Sequence, residues 1–161
     1  MWKYLNFLWK STNQHGVHSP FVFQYITKGV YQYKHQYKDC TPSQQWLLST
    51  LDYFQPKSVY WNEETFEKTL SAWQVVRVEN EQNADVIIKT TYDHVSISSL
   101  LQTLSLLKEE QLLLIVNDSY SKSLLDQIRA DESVIVVVDF YYGVLISKRK
   151  EQLKQNFYIR L

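Results

Sequence analysis

Two short apolar runs decide the fold, Ala84-Asp85-Val86-Ile87-Ile88 and Leu112-Leu113-Leu114-Ile115-Val116. The residues between them that recur at helical spacing are Ile97, Leu100, Leu101, Leu104 and Leu107. That spacing predicts one amphipathic helix, and short runs rich in β-branched residues on either side of it are typical of parallel strands buried on both faces. The stretch therefore predicts a strand–helix–strand unit of a parallel sheet.

Further helices and strands are predicted on both sides of this unit. Ser19 and Thr41 can each cap a helix that has proline at its first position. Further strands are predicted at Ser58–Trp61, Gln74–Val78, Val134–Val138 and Gly143–Ser147, with a terminal extended piece at Phe157–Leu161. The loop from Asp139 to Gly143 is too short for a crossover, so the strands it joins must be antiparallel.

The predicted fold class is α/β: a truncated Rossmann-like three-layer sandwich with a mostly parallel sheet that ends in an antiparallel hairpin. A length of 161 residues predicts a single domain, with a helical segment (1–56) packed on an α/β core (57–161).

The composition excludes several classes of protein. Lys plus Arg and Asp plus Glu number 17 each, so no net charge is available to hold a polyanion, which argues against binding to nucleic acid or to an anionic membrane but leaves a local charged patch open. Cys40 is the single cysteine, which excludes a disulfide framework and a cysteine-based zinc site and predicts a cytoplasmic protein. No run approaches the ~20 apolar residues of a membrane span.

The first ten residues predict a short amphipathic helix. Its apolar side comprises Trp2, Leu5, Leu8 and Trp9. This side is expected either to pack on the domain or to dock to a partner or a membrane interface.

Polar residues that follow the two strands of the central unit are the first candidates for chemistry, because open α/β sheets bind ligands at the carboxyl ends of their strands. Asp93, His94 and Asp118 could converge there as an acid–base cluster. In the alternative interpretation, Asp118 caps the next helix and His94 lies on the surface. His15 and His18 precede the helix that begins at Pro20, and they have either hydrogen-bonded structural roles or, less favoured without nearby acids, a role in binding a metal.

Segments at both ends of the chain resemble one protein family. His15-Gly16-Val17-His18-Ser19-Pro20-Phe21-Val22-Phe23 resembles the His-Gly-Ile/Val-His-Ser-Pro-Phe-Val segment that opens a family of bacterial class I S-adenosylmethionine-dependent methyltransferases. Tyr53-Phe54-Gln55-Pro56-Lys57 is similar to the segment that leads into the first strand of that family. The stretches similar to its final hairpin and tail are 136–144, 148–152 and 157–160. The resemblance implies a class I methyltransferase-like fold.

The chain departs from this family where the cofactor would bind. The glycines are Gly16, Gly29 and Gly143, and none follows the first strand, where the family has a glycine-rich loop. Bulky residues and two acids stand there instead, in the stretch Val59-Tyr60-Trp61-Asn62-Glu63-Glu64-Thr65-Phe66. The sequence therefore predicts no cofactor. Where the family has two strands, this chain has Gln74–Val78 alone. If it represents the earlier one, the resemblance implies that Glu79 takes the place of a ribose-binding acid; the alternative is a solvated turn residue.

The resemblance also bears on metal binding. Lys89 stands where the family has an aspartate, and Asn117-Asp118 stands where it has two aspartates. A lysine removes a ligand and adds repulsion, so no metal is expected.

The sequence supports three hypotheses of function. In the first, the chain is a degenerate, catalytically inactive methyltransferase-like domain that serves as a binding or scaffold module for a protein partner or through self-association. Its contact surface is then His15, His18 and Phe21, or the aromatic loop with Tyr141. In the second, it is an active S-adenosylmethionine-dependent methyltransferase with an atypical or partner-completed cofactor site. In the third, an unrelated enzyme or binding protein uses Asp93, His94 and Asp118.

Overall fold

The structure, a computed structural model, describes residues 2–61, 64–70, 75–90, 97–116, 122–151 and 153–161. The helices are α1 (Trp2–Lys10), α2 (Pro20–Gln24), α3 (Tyr31–Tyr33), α4 (Pro42–Phe54), α5 (Glu64–Leu70), α6 (Ile97–Leu106) and α7 (Lys122–Ala130). A π-helical segment, Tyr25–Val30, joins α2 to α3, and 3₁₀ turns cover Gln14–Gly16, Lys34–Tyr37 and Glu81–Asn83. The strands are β1 (Ser58–Tyr60), β2 (Val76–Arg77), β3 (Val86–Thr90), β4 (Leu112–Val116), β5 (Val136–Asp139), β6 (Gly143–Ser147) and β7 (Gln155–Tyr158).

Within the described residues, seven strands form one sheet in the order β2-β1-β3-β4-β6-β5-β7. β6 is antiparallel to both of its neighbours, and the other pairs are parallel. The predicted α/β class, the mostly parallel sheet and the antiparallel hairpin near its end are therefore confirmed. The chain has a Rossmann-like fold.

Both faces of the sheet are covered, because alternate residues of each strand point to opposite sides. Val86 and Ile88 of β3 lie in a core that includes Leu47 of α4. Ile87 lies in a second core, with Leu104 of α6 and other residues from α6 and α7. The sheet is therefore the middle of three layers, with α4 on one face and α6 and α7 on the other.

The strand β2 lies where a doubly wound sheet has its second strand, beside β1. In a doubly wound sheet of order 3-2-1-4-5-6, the second strand lies next to the first. β2 pairs with β1, and no described strand pairs with its outer side. The segment 78–85 then leads to β3, on the other side of β1. A third strand with its crossover helix would need a dozen or more residues. The segment 78–85 is too short to contain them. The described order is thus that of a doubly wound sheet without its third strand.

The two ends of the chain meet beside β7. Thr12 forms a parallel bridge with Ile159, in which the Thr12 N–H donates to the carbonyl of Tyr158 at 2.7 Å and the Arg160 N–H donates to that of Thr12 at 3.1 Å. Tyr31 donates its hydroxyl to the Arg160 carbonyl at 2.7 Å. The predicted terminal extended piece therefore does add to a sheet edge, and the N-terminal segment covers its outer side.

The helix α1 packs on the domain through a side that the sequence analysis did not select. Phe7 is buried, and the Tyr4 ring meets the Tyr141 ring edge to face at 5.0 Å between centroids. The exposed fractions of Trp2, Leu5 and Trp9 are 83%, 53% and 92%. The prediction that the side with Trp2, Leu5 and Trp9 packs on the domain is therefore wrong. Tyr4 and Phe7 pack there instead, because both contact the Tyr141 ring.

A buried polar network holds α4 against the π-helical segment. The Trp46 Nε1 donates to the Tyr25 hydroxyl at 3.1 Å, and that hydroxyl lies 2.8 Å from the Thr50 hydroxyl. The Trp46 ring lies so close to Gly143 that a Cβ there would collide with it. Burial raises the pKa of the Tyr25 phenol.

No helix in the described ranges has the length and apolar character to cross a bilayer.

Candidate functional site

The predicted cluster of Asp93, His94 and Asp118 lies outside the described residues. The described ends of the neighbouring strands are Lys89 and Thr90 of β3, Tyr60 of β1 and Val116 of β4. The described part of the site therefore consists of the carboxyl ends of these strands and the segments next to them.

Lys89 is a buried cation in the middle of the sheet, with 5% of its surface exposed. Its ammonium forms an ion pair with Glu81, in the turn that precedes β3. The ring of Tyr60 lies below the ammonium, at 5.2 Å from the nitrogen to the ring centroid. A buried charge is stable only when it is paired, and Glu81 and Tyr60 supply the compensation here.

Glu81 connects this cation to the helix α6. Its second carboxylate oxygen accepts a hydrogen bond from the Thr103 hydroxyl at 2.9 Å. The turn that carries Glu81 is also fixed by Gln111, whose side-chain amide donates to the carbonyls of Glu81 and Ala84 at 2.9 and 2.7 Å. The pair Lys89–Glu81 therefore belongs to a polar cluster that links β3, the turn at Glu81 and the helix α6.

A cavity of about 310 Å³ lies between the segment after β2 and the helix α6. Its lining residues are Tyr60, Glu79, Asn80, Glu81, Gln82, Ile87, Ser99, Gln102, Thr103, Leu106 and Gln111. The lining is largely polar and uncharged, with the two acids Glu79 and Glu81 on the β2 side. Because Glu81 is already paired with Lys89, Glu79, which is exposed, is the acid left at the rim.

The carboxyl end of β1 is occupied by a cluster of Trp61, Glu67 and Arg77. Trp61 is buried, and the Arg77 guanidinium lies over its ring at 4.9 Å from the centroid. Arg77 also donates to the Trp61 carbonyl at 3.2 Å and to Glu67 at 3.1 Å. The Trp61 Nε1 donates to the same Glu67 carboxylate at 3.2 Å. The backbone and the side chain at the end of β1 are thus both engaged within the protein.

His15 and His18, the predicted contact residues before α2, are exposed, and the His15 N–H donates to the Asn13 side chain at 3.1 Å. Between them, Gly16 lies against Thr12 so closely that a Cβ would collide with the threonine side chain. Ser19 caps α2, as predicted, by accepting from the Val22 N–H at 3.3 Å. This segment therefore has a structural role of its own, beside the bridge to Ile159.

Phe21 and Tyr141 are both half-buried. The Arg149 guanidinium lies 5.1 Å from the centre of the Phe21 ring. Tyr141 has a left-handed backbone, with φ of 69°, and its N–H donates to the buried carboxylate of Asp139 at 2.9 Å. Its ring lies against Tyr4 and Phe7 of α1. The predicted contact surface at His15, His18, Phe21 and Tyr141 stays a prediction.

Sequence reasoning missed the partners Glu81 and Arg77. A lysine that directly follows an apolar strand run indicates a buried cation, and this signal could have prompted a search for a nearby acid such as Glu81. Nothing in the local sequence indicated that Arg77 would stack on Trp61, because the contact depends on the pairing of β1 with β2.

Among the described residues, no group of three or more His, Cys, Asp or Glu side chains is placed to hold a metal ion. Comparison of the chain with protein-family models, with curated proteins and with solved structures finds no match. The fold defines the chain as a Rossmann-like α/β protein, with Trp61, Glu67 and Arg77 in contact at the carboxyl end of β1.

Proposed function

We propose that this protein is a degenerate methyltransferase-like domain that does not catalyse methyl transfer and acts as a binding or scaffold module. The observation that carries the proposal is the cluster at the end of β1. In a Rossmann-like fold, the protein backbone after the first strand must come close to a nucleotide-type cofactor. Glycines stand at this point because they have no side chain to prevent that approach. Trp61 is a buried tryptophan at this point, with Arg77 stacked on its ring.

The energetics of this cluster support the proposal. For a cofactor to approach the end of β1, the Trp61 ring would have to leave its buried site and Arg77 would have to give up its bonds to Glu67 and to the Trp61 carbonyl. Exposing a large aromatic side chain costs about 2–3 kcal/mol, which a weakly bound ligand would have to supply.

Lys89 gives independent support against a metal-dependent reaction. Its ammonium is committed to Glu81 beneath α6, so this position on β3 contributes a cation where the resembled family has an acid. A divalent cation prefers several carboxylate and carbonyl oxygens, and a nearby ammonium repels it.

As a binding module, the domain has two surfaces to offer a protein partner. One contains the exposed residues His15 and His18 with the neighbouring Phe21. The other is the edge strand β2, on which Val76 is 65% exposed. An edge strand without a described partner on its outer side can pair with a second copy, which favours self-association. Light scattering at high protein concentration tests this point: a monomer would contradict self-association, whereas an oligomer dissociated by Val76→Lys would support it.

The second candidate function is an active methyltransferase whose cofactor site is completed by a partner chain. It is favoured by Glu79, an exposed acid at the rim of the cavity and two residues beyond β2. Because β2 lies beside β1, Glu79 just beyond β2 is the candidate for the ribose-binding acid that doubly wound sheets carry after their second strand.

Isothermal titration calorimetry separates the two functions. S-adenosylmethionine and S-adenosylhomocysteine are titrated into the wild-type protein and into Glu79→Gln, at the highest protein concentration that stays in solution. The proposal predicts no binding heat for either protein. Binding to the wild type that is weakened by Glu79→Gln would instead support the methyltransferase.

A further inference from the structure

The outer side of α1 carries an apolar stripe that the domain does not use. At 3.6 residues per turn, Trp2, Leu5 and Trp9 lie within an arc of about 60°, opposite the buried Phe7. Trp2 and Trp9 are 83% and 92% exposed. Two almost fully exposed tryptophans on one short helix form an apolar surface patch, and such patches mark interaction sites.

The charge around this stripe is strongly one-sided. The first 38 residues contain five lysines and no aspartate or glutamate, whereas the remainder contains 17 acidic residues and 12 basic ones. The neutral total therefore conceals a basic N-terminal segment next to an acidic remainder.

Part of this basic charge lies beside α1 in space. Lys3 and Lys10 are exposed on the helix itself. Lys34 and Lys38 line a cavity of about 340 Å³ together with Tyr4 of α1. Lysines thus lie both on α1 itself and in the cavity beside its Tyr4 side.

We propose that α1 attaches the protein to the surface of an anionic phospholipid bilayer, with Trp2, Leu5 and Trp9 inserted at the headgroup level. Tryptophan favours that depth because its ring is apolar and its N–H is polar. Each lysine near an anionic surface adds attraction, and a short apolar helix face combined with basic charge is typical of interfacial helices. The proposal goes beyond the binding-module function and does not depend on it.

The charge argues for lipid over a second copy of the chain. Two copies that meet through α1 would bring two basic segments together, and like charges at an interface oppose association. An anionic bilayer supplies the opposite charge and the apolar phase in one partner.

Vesicle co-sedimentation of the 161-residue protein tests the proposal. The probes are vesicles of phosphatidylcholine alone and vesicles in which about one quarter of the lipid is phosphatidylglycerol. The expected result is binding to the anionic vesicles, a blue shift of the tryptophan emission and quenching by brominated lipid. Binding is expected to fall as the salt concentration rises, because salt screens the lysines.

Two pairs of variants separate the apolar and the charged contributions. Trp9→Ser should weaken binding to anionic vesicles about tenfold or more, whereas Leu153→Ser, at a residue that is 79% exposed elsewhere, should not change it. Lys10→Gln should weaken binding about fivefold, and Lys57→Gln on the exposed turn before β1 should leave it unchanged. Circular dichroism melts check that all four variants remain folded.

Three outcomes would overturn the proposal. The first is no binding to anionic vesicles, and the second is equal binding to both kinds of vesicle. The third is a dimer in the absence of lipid that Trp9→Ser dissociates, because a second copy would then cover the stripe.

Discussion

Removing the acid from the buried Lys89–Glu81 pair should destabilise the protein more than removing the base. The side chain of Lys89 is 6% exposed and that of Glu81 is 25% exposed. Glu81→Gln leaves an ammonium in the sheet without a counter-charge, and breaking a buried pair in this way costs about 3 kcal/mol of unfolding free energy. Lys89→Met leaves a carboxylate that water reaches and that Thr103 still binds, so we expect a loss of about 1 kcal/mol.

Urea unfolding of the two single variants and of the double variant measures these terms. The double variant should lose less than the sum of the single losses, because neither charge is then left alone. Thr103→Val is the control, with an expected loss of about 1 kcal/mol from one hydrogen bond. The reasoning would be refuted if Glu81→Gln were no more destabilising than Lys89→Met, because Lys89 would then have another counter-charge.

Three further predictions concern the core and the helix ends. Gly143→Ala should lower the unfolding free energy by about 2 kcal/mol or more, because its Cβ would collide with the buried Trp46 ring; urea unfolding measures this, and a neutral substitution would contradict the close approach. Burial raises the pKa of Tyr25 above its usual 10.0, so its contribution to stability is complete below pH 10 and is lost as the pH rises further. Between pH 9 and 11, the unfolding free energy should therefore fall less steeply with pH in Tyr25→Phe than in the wild type, by up to about 1.4 kcal/mol per pH unit. Urea unfolding at several pH values measures this, and identical slopes for the two proteins would argue against the burial of Tyr25. Thr41→Ala should cost about 1 kcal/mol by removing the capping box with Gln44, and an unchanged thermal midpoint would count against that cap.

The sheet could be predicted because its signals are local. Runs such as Leu112–Val116 are short, wholly apolar and end in β-branched residues, and the loop between β5 and β6 is too short for anything but a hairpin. Caps such as Ser19 and Thr41 were equally visible, since the N-cap hydroxyl and the backbone N–H that donates to it lie only three residues apart.

The contacts that sequence reasoning missed are long-range. The buried side of α1 is chosen by the Tyr141 ring at the opposite end of the chain, which no helical spacing could indicate. The same holds for the bridge between Thr12 and Ile159. At the candidate site, the absence of glycine after β1 was visible in the sequence, but the stacking of Arg77 on Trp61 required the register of β1 and β2.

A thermal-shift titration with S-adenosylmethionine and S-adenosylhomocysteine, with and without magnesium, tests the central claim most directly. A ligand that binds only the folded state stabilises it by about 2.7 kcal/mol at 100 times its dissociation constant, which moves the midpoint by several degrees. The proposed closure of the β1 end by Trp61 and Arg77 predicts no shift at millimolar ligand. A concentration-dependent rise of the midpoint with either compound would contradict it.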